Sequence, residues 1–565
     1  MIFLKKLVSN STIILIIVVL LGFLLRYYRL SEIPIGLHID EAQLGYNAFS
    51  LLKTGRDELG NFLPVHIKIW NYERPLLPTY LTIPGIVVFG LSEFGTRIDT
   101  SVIGTISILL VFLLTQSLFK NKALSLLSSF LFTISPWHVM LSRATSDAVI
   151  ALFFYILGFL FSWRAYEKES KYSVFFSYLF FVLAFFSYLS TRIMIPIILF
   201  IFFLMAVRAK KQVSLAFLGV TIIYLIFPFT VFWASSTGRF NQVSIINEHG
   251  TKLILEEQIR EDGNSFPIFL TRVFHNKIIN FSLKAVENFS SYFTADFLIF
   301  KGGLPIRYYV PNMGILYFWE LPFLLWGFIV LFSKRYRIEN TFIIFLWIIL
   351  GLFSSSLTIE ETPNLQRALF ILPALQWVVA LGLLDLFINL RYFKKMVTIT
   401  VLSMIIIWNC SYFIHQYTVH TFLRRPWYRF YDMKELVSYV NSVKNKYTSV
   451  YLTFNSTEPY VYFLFYNQTN PNIYQKLIKE KGLEYTWNNI DNIKIIREEC
   501  PIIDSQMKGN ILVVYKVNCK LPRTSRIIKK IAFSDGAISL IVVDFPEGTS
   551  KIYEQLDYKE EISVD

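Results

Sequence analysis

Apolar runs long enough to cross a lipid bilayer recur near residues 8–27, 98–118, 123–142, 146–163, 173–190, 192–207, 213–233, 313–333, 340–356, 368–390 and 396–414. A helix needs about 20 such residues to span the hydrocarbon, and in lipid every backbone polar group must be bonded within the segment. The pattern therefore predicts an α-helical polytopic membrane protein with about 11 transmembrane helices. Composition agrees, since 54% of the 565 residues are hydrophobic and 17% aromatic, more than one soluble core can bury. The formal charge of +14 falls in short clusters between the runs and forms no basic stripe, which sets nucleic acid aside as a partner.

Those clusters also orient the chain. Lys5/Lys6, Lys120/Lys122, Arg164/Lys168/Lys171, Arg208/Lys210/Lys211, Lys334/Arg335/Arg337 and Arg391/Lys394/Lys395 share one side if every run is a span, and the excess of positive charge makes that side the cytoplasm. The first run has a basic flank like a signal peptide but no small-residue cleavage site, so it is expected to stay as the first helix of a multi-pass plasma-membrane protein. The polar chain outside comprises residues 28–97, residues 234–312 and a tail, dividing the protein into a membrane domain, 1–414, and an extracytoplasmic domain, 415–565.

In the first outer piece, "DEAQLGYNAFSLLKTG" places Leu44, Ala48, Leu51 and Leu52 at helical spacing, and "ERPLLPTYLTIPGIVVFG" has prolines suited to a helix start and a later kink. Both predict interfacial helices along the membrane. The tail differs, with strand-like "TSVYLTF" (448–454), "KIIREEC" (494–500) and "NILVVYKV" (510–517) around helical "YDMKELVSYVNSVKNK" (431–446), which predicts a small α/β domain. Three cysteines exclude a zinc ribbon or an iron–sulfur framework. Cys500 and Cys519 are either a disulfide, reached by a hairpin-like return of the flanking strands, or an unpaired buried couple.

Charges at the outer mouth of a membrane domain ask for a function. Asp40 and Glu41 adjoin an apolar run, and Arg74, Arg143, Arg192 and Arg367 sit at outer ends of spans against the inside preference of the other bases. Each also has a structural alternative. Asp40 with Gln43 fits a helix capping box, Asp147 fits a helix cap, and span-end arginines snorkel to headgroups. His38 and His138 fit packing better than metal binding, for lack of a second ligand at helical spacing. Tyr46, Trp70 and Trp137 are the aromatic residues placed to stack on a sugar.

The order "IDEAQLGYNA", "YERPLLPTYL", "SPWHVMLSRATSDAVI", "NLQRALFILPALQ" resembles the C-type (GT-C) glycosyltransferases that use polyprenyl-phosphate sugars, within them the protein O-mannosyltransferase and aminoarabinose transferase group, over residues 10–390. The resemblance implies a GT-C fold and transfer of a sugar from a polyprenyl-phosphate donor to a protein, lipid or glycan acceptor; because four arginines supply enough positive charge for a departing phosphate, no cofactor and no obligatory metal are expected, although an acidic pair is also a possible metal site. The resemblance makes Asp40 and Glu41 the catalytic pair. Glu73-Arg74-Pro75-Leu76 stands where the family usually has an acid followed by Lys-Pro-Pro, Asp147 follows the third span, and Arg367 precedes a late helix. Glu73, Asp147 and Tyr46 are thus expected at the substrate and the four arginines at the donor phosphate. A polyprenyl phosphate leaves without a strong acid, so a carboxylate base and a cationic cradle suffice for an inverting transfer. Neighbours on a helix diverge, so only one acid faces the reacting centre, and Asp40 is the choice. The rival from another class is a non-catalytic lipid or polysaccharide transporter.

Overall fold

The computed structural model describes residues 10–69, 72–75, 77–232, 244–247, 249–263, 266–333, 338–424, 426–454, 459–498, 500, 509–521 and 526–545. Along the chain these form α1 (Ser11–Tyr27), α2 (Ile39–Thr54), the antiparallel pair β1 (His66–Ile69) and β2 (Tyr72–Pro75), α3 (Leu77–Phe89), α4 (Glu93–Phe119), α5 (Lys122–Ile134), α6 (Pro136–Arg143) and α7 (Asp147–Lys168). There follow α8 (Lys171–Phe185), α9 (Thr191–Arg208), α10 (Ser214–Phe232), α11 (His249–Asp262), α12 (Ile268–Phe274), α13 (Lys277–Ser291), α14 (Glu320–Leu331), α15 (Ile338–Ser356), α16 (Leu372–Asn389) and α17 (Tyr392–His415). The tail holds α18 (Asp432–Val443), β3 (Ser449–Thr453), α19 (Tyr460–Tyr466), α20 (Pro471–Lys481), β4 (Asn489–Ile490), β5 (Ile493–Ile496), β6 (Ile511–Lys516), β7 (Arg526–Ala532) and β8 (Ile538–Phe545). The protein is thus a mostly helical, multi-pass type of chain with a small C-terminal sheet. Packing divides it into two compact units, residues 1–28, 65–78 and 100–416, and residues 29–64, 79–99 and 417–565.

Each of the eleven apolar runs holds an apolar helix. Among the described residues six helices are long and apolar enough to cross a membrane, and α5 with α6 makes a seventh if a bent pair counts as one span. That pair corrects the expectation of one continuous run over 123–142, since the chain turns by 54° between them. Pro136 has no N–H to continue α5, and it suits the first position of a new helix, where Ser135 Oγ accepts from the His138 N–H at 3.4 Å. Carbonyls released at the break find other donors: Thr133 O accepts from Arg26 Nη1 at 3.3 Å, and Ile134 O from the Tyr317 hydroxyl at 2.8 Å. A second correction concerns "ERPL", expected at a helix start. Glu73, Arg74 and Pro75 instead lie on β2, paired to β1 with Ile67 opposite Arg74, and the helix begins only at Leu77.

In the helical unit α14 and α16 meet backbone to backbone. A Cβ on Gly327 would lie 1.9 Å from the Val378 carbonyl oxygen, and one on Gly382 2.2 Å from that of Phe323. In lipid, where burial of apolar surface drives nothing, such close approach of small residues is the main source of helix association.

In the other unit α2 is no exposed amphipathic ribbon. Ala42, Tyr46 and Ala48 are buried in one core with Leu436 and Val440 of α18, Val461 and Phe465 of α19, and Val450 and Leu452 of β3. The sheet runs in the order β4-β5-β3-β6-β8-β7. β3 pairs in parallel with both β5 and β6, and the other pairs are antiparallel. Its inner strands are continuous β-branched and aromatic runs because both faces are covered, as in "SVYLT", all five residues of which are buried. Cys500 and Cys519 are disulfide-bonded, with Cα atoms 5.3 Å apart. The expected hairpin is not what joins them: β5 and β6 flank β3 on opposite sides, and each cysteine follows its strand's C-terminal end.

Gly327→Ala should destabilise the protein in detergent by about 1–3 kcal/mol, as overpacking does. Gly219→Ala on α10, where an added Cβ meets nothing within 4 Å, should leave thermal unfolding unchanged.

Candidate functional site

The acidic pair begins α2, and the chain before it decides where each carboxylate points. Gly36 turns with φ +66°, where a Cβ would also lie 2.5 Å from the Arg429 carbonyl oxygen, so only glycine fits. His38 is the helix cap: its Nδ1 accepts from the Asp40 N–H at 3.1 Å, and Glu41 closes the box by accepting from the His38 N–H at 3.1 Å. This replaces the expected Asp40–Gln43 box. Because Nδ1 is an acceptor there, its 3.5 Å approach to Asp40 Oδ2 is not a donated hydrogen bond.

Successive helical residues are about 100° apart, and the two acids diverge accordingly. Glu41 is 3% exposed and held by Arg97 Nε at 2.9 Å and Arg429 Nη2 at 2.5 Å. Burial opposes its ionisation, but the two guanidinium groups and the His38 N–H overcome this and hold its pKa at about 2. Arg97 also donates to the carbonyls of Leu30 at 3.1 Å, Pro34 at 3.0 Å and Gly36, and Arg429 Nε to that of Ile35 at 2.8 Å. Asp40 keeps 24% of its side chain exposed. Glu41 is thereby a structural anchor and Asp40 the acid turned outward. Tyr46, expected at the substrate, is fully buried in the core, with its hydroxyl donating to Thr469 O at 3.0 Å.

Behind α2 lies an acidic loop that the sequence did not single out. Glu58 is buried, accepts from Gln43 Nε2 at 3.3 Å and the Tyr460 hydroxyl at 3.4 Å, and its Oε2 has no partner among the described residues. Burial, aided by neighbouring Asp57 and only partly offset by these hydrogen bonds, raises its pKa to about 7.

In the helical unit Arg74 and Asp147 are brought together, Nε to Oδ2 at 2.9 Å, with Asp147 opening α7. Tyr188, just beyond α8, lies within electrostatic range of Asp147, Arg307, Tyr308 and Arg367. Gln366 Nε2 bonds Ser146 Oγ at 2.9 Å and the Tyr308 hydroxyl at 3.2 Å. Arg367 bonds Thr358 Oγ1 at 3.0 Å and Glu360 Oε2 at 3.1 Å. Of the four expected arginines, Arg74 and Arg367 therefore belong to this polar cluster. Arg143 is buried and donates to the carbonyls of Leu25 at 2.8 Å and Tyr28 at 2.6 Å, tying down the end of α1, and Arg192 stacks 4.6 Å over the Phe185 ring. Trp137 is buried with its indole N–H on Leu365 O at 2.9 Å, a packing position. His138 is likewise buried, against Arg26 at 2.8 Å. Glu73 has its backbone on β2; its side chain and Trp70 lie outside the described residues. Tyr188 and Gln366 stand near Arg192 and Arg367 at the ends of apolar runs but carry no charge to mark them, and Arg307 lies in the polar piece 234–312, marked in the sequence by the "RYY" of 307–309.

Residues 73–233 match the family described as dolichyl-phosphate-mannose-protein mannosyltransferase. No curated protein matches the chain. Among solved structures it is similar to the archaeal oligosaccharyltransferase AglB from Archaeoglobus fulgidus, in complex with an inhibitory peptide and a dolichol-phosphate, at 12% identity and TM-score 0.48, covering 90% of this chain and 69% of that one. It is also similar to ArnT from Cupriavidus metallidurans bound to undecaprenyl phosphate, at 10% identity and TM-score 0.49, covering 96% of this chain and 98% of that one.

The two buried glutamates should give opposite pH signatures. Glu41 has a folded pKa of about 2 against an ordinary 4.5, so its stabilisation is full above pH 4.5 and is lost as pH falls towards 2. Arg429→Ala should cost about 3–5 kcal/mol at pH 7, the usual loss on breaking a buried ion pair. Glu58, raised from 4.5 to about 7, binds a proton in the folded state that the unfolded chain has released, so stability falls between pH 4.5 and 7 and levels off above. Glu58→Gln should flatten that slope, as read by thermal unfolding against pH.

Proposed function

We propose that this membrane protein is a glycosyltransferase that moves a sugar from a polyprenyl-phosphate donor to an acceptor on the extracytoplasmic side, with inversion at the anomeric carbon. The observation that carries it is the cluster of Arg74, Arg307 and Arg367 with Asp147, Tyr188, Tyr308 and Gln366 in a unit built from apolar helices. Cations and hydrogen-bond donors gathered at helix ends in such a setting suit an anionic group carried on a lipid. The family match over residues 73–233 supports the same substrate class.

In this reaction Asp40 takes the proton of the acceptor hydroxyl as its oxygen bonds to the anomeric carbon. The bond from that carbon to the phosphate oxygen breaks with its electron pair, and polyprenyl phosphate departs with its added charge met by Arg74, Arg307 and Arg367. Arginine in the Lys position of the family motif keeps the charge and offers a planar pair of donors to phosphate oxygens. Glu73 and Asp147 orient substrate in this scheme. A protein acceptor is favoured by the family description, and a lipid or glycan acceptor uses the same chemistry. The orientation rests on the distribution of basic loops, which puts the disulfide-bonded tail outside the reducing cytoplasm.

Asp40→Asn keeps the shape of the helix start and should lower turnover at least about a hundredfold, leaving binding of undecaprenyl phosphate intact. A transporter would retain movement of lipid in this variant, and a well-folded variant with normal turnover would remove Asp40 from the role of base. Arg74→Ala and Arg367→Ala should each weaken undecaprenyl phosphate binding as well as turnover, because the phosphate contact exists before and after transfer. Unchanged affinity in both would remove this cluster as the phosphate site.

A further inference from the structure

The segment that carries α12 and α13 is built inside out. On α13 two asparagines face the protein, Asn280 and Asn288 being buried, while Ile278, Leu283 and Val286 are exposed by 79, 62 and 64%, with Ser282, Glu287 and Ser290 exposed among them. On α12 only Thr271 is buried, and Ile268, Phe269, Val273 and Phe274 all stand out. Water does not select such a pattern, and an exposed apolar patch of this extent marks a surface with an apolar partner. The two buried asparagines show that the outward face is the native one. Asn280 Nδ2 bonds Gln258 Oε1 of α11 at 3.0 Å, and Asn288 Nδ2 bonds the carbonyls of Ser356 at 3.1 Å and Thr358 at 3.0 Å.

Those last contacts identify the partner. Ser356 ends α15, one of the helices long and apolar enough to cross the membrane, and its exposed Phe342, Ile349 and Phe353 are the side it offers to lipid. Asn288 therefore fixes α13 at the level where a span leaves the hydrocarbon, one turn from Phe353, so the outward face of α13 continues the lipid-facing surface of α15. Exposed Arg272 in the last turn of α12 and exposed Lys277 at the start of α13 flank the junction of the two helices, placed for phosphate groups at that level. We propose that α12 and α13 lie in the membrane interface with Phe269, Ile278, Leu283 and Val286 immersed among the lipid chains of the adjoining leaflet. Part of the second outer piece is then a membrane-embedded shelf and not a solvated loop. This surface requires neither the proposed reaction nor its donor.

The test is lipid exposure measured directly. Single cysteines replacing Phe269, Ile278 or Val286, and Glu257 on α11 as the exposed control, are introduced with Cys410→Ala, the disulfide cysteines being unavailable to label. Each protein is spin-labelled and reconstituted in phosphatidylcholine vesicles with a minority of phosphatidylglycerol. Collision with oxygen should exceed collision with the polar nickel–EDTA-diacetate complex several-fold at the three apolar positions, and the order should reverse at position 257. Strong collision with the nickel complex at positions 269, 278 and 286 would place the helices in water and overturn the proposal. Low accessibility to both reagents would show a protein partner or a second copy on this face, and would overturn it equally.

Discussion

One carboxylate, Glu41, sets the arrangement of everything around the start of α2. Taking an ion out of water costs several kcal/mol, and the loss is met only when opposite charges and hydrogen bonds surround it. Glu41 has Arg97 from α4, Arg429 from the tail and the His38 N–H from its own cap. The same two guanidinium groups collect the carbonyls of residues 30, 34, 35 and 36, a stretch with no ladder of its own. An irregular segment is thus ordered by side chains that exist to neutralise a neighbouring acid. The direction of Asp40 follows from that arrangement, one residue away and pointing elsewhere.

Arginine serves two purposes in the helical unit that charge position alone does not separate. Arg26 and Arg143 donate to carbonyls left at helix ends, at the break after α5 and at the end of α1. In an apolar setting an unbonded carbonyl is expensive, and a long side chain with several donors is an economical remedy. Arg74 and Arg367 instead meet acidic side chains, Asp147 and Glu360, beside tyrosine and glutamine. These are contacts that an arriving anion can exchange. The two groups look alike in the sequence, as basic residues at the ends of apolar runs.

What was legible in the sequence is what local chemistry dictates. Lipid demands helices, so the apolar runs announced them, and β-branched "SVYLT" and "ILVVYK" announced buried strands. Pro136 after Ser135 carried the signal for the break between α5 and α6, hidden by the continuous apolarity around it. "YERP" became a strand because pairing with residues 66–69 outweighed the helix-starting tendency of its proline. Partners of Glu41 were illegible for a different reason: Arg429 is 388 residues away, and no local pattern marks a charge whose counter-ion lies that far along the chain. The same holds for Tyr46, whose burial depends on α19 and α20.

The shared core of α2 with the tail imposes an order on synthesis. Tyr46, Ala48 and Glu41 are made early, but Arg429, Val461 and Tyr474, against which they pack, come some four hundred residues later by the numbering. At about 5–20 residues per second, α2 must wait on the order of tens of seconds with its acid met by Arg97 alone and with a bare apolar face. The helices from α3 to α17 are all made in the interval. A chain built this way completes the surroundings of α2 last, and any truncation ahead of residue 429 leaves Glu41 without half of its counter-charge.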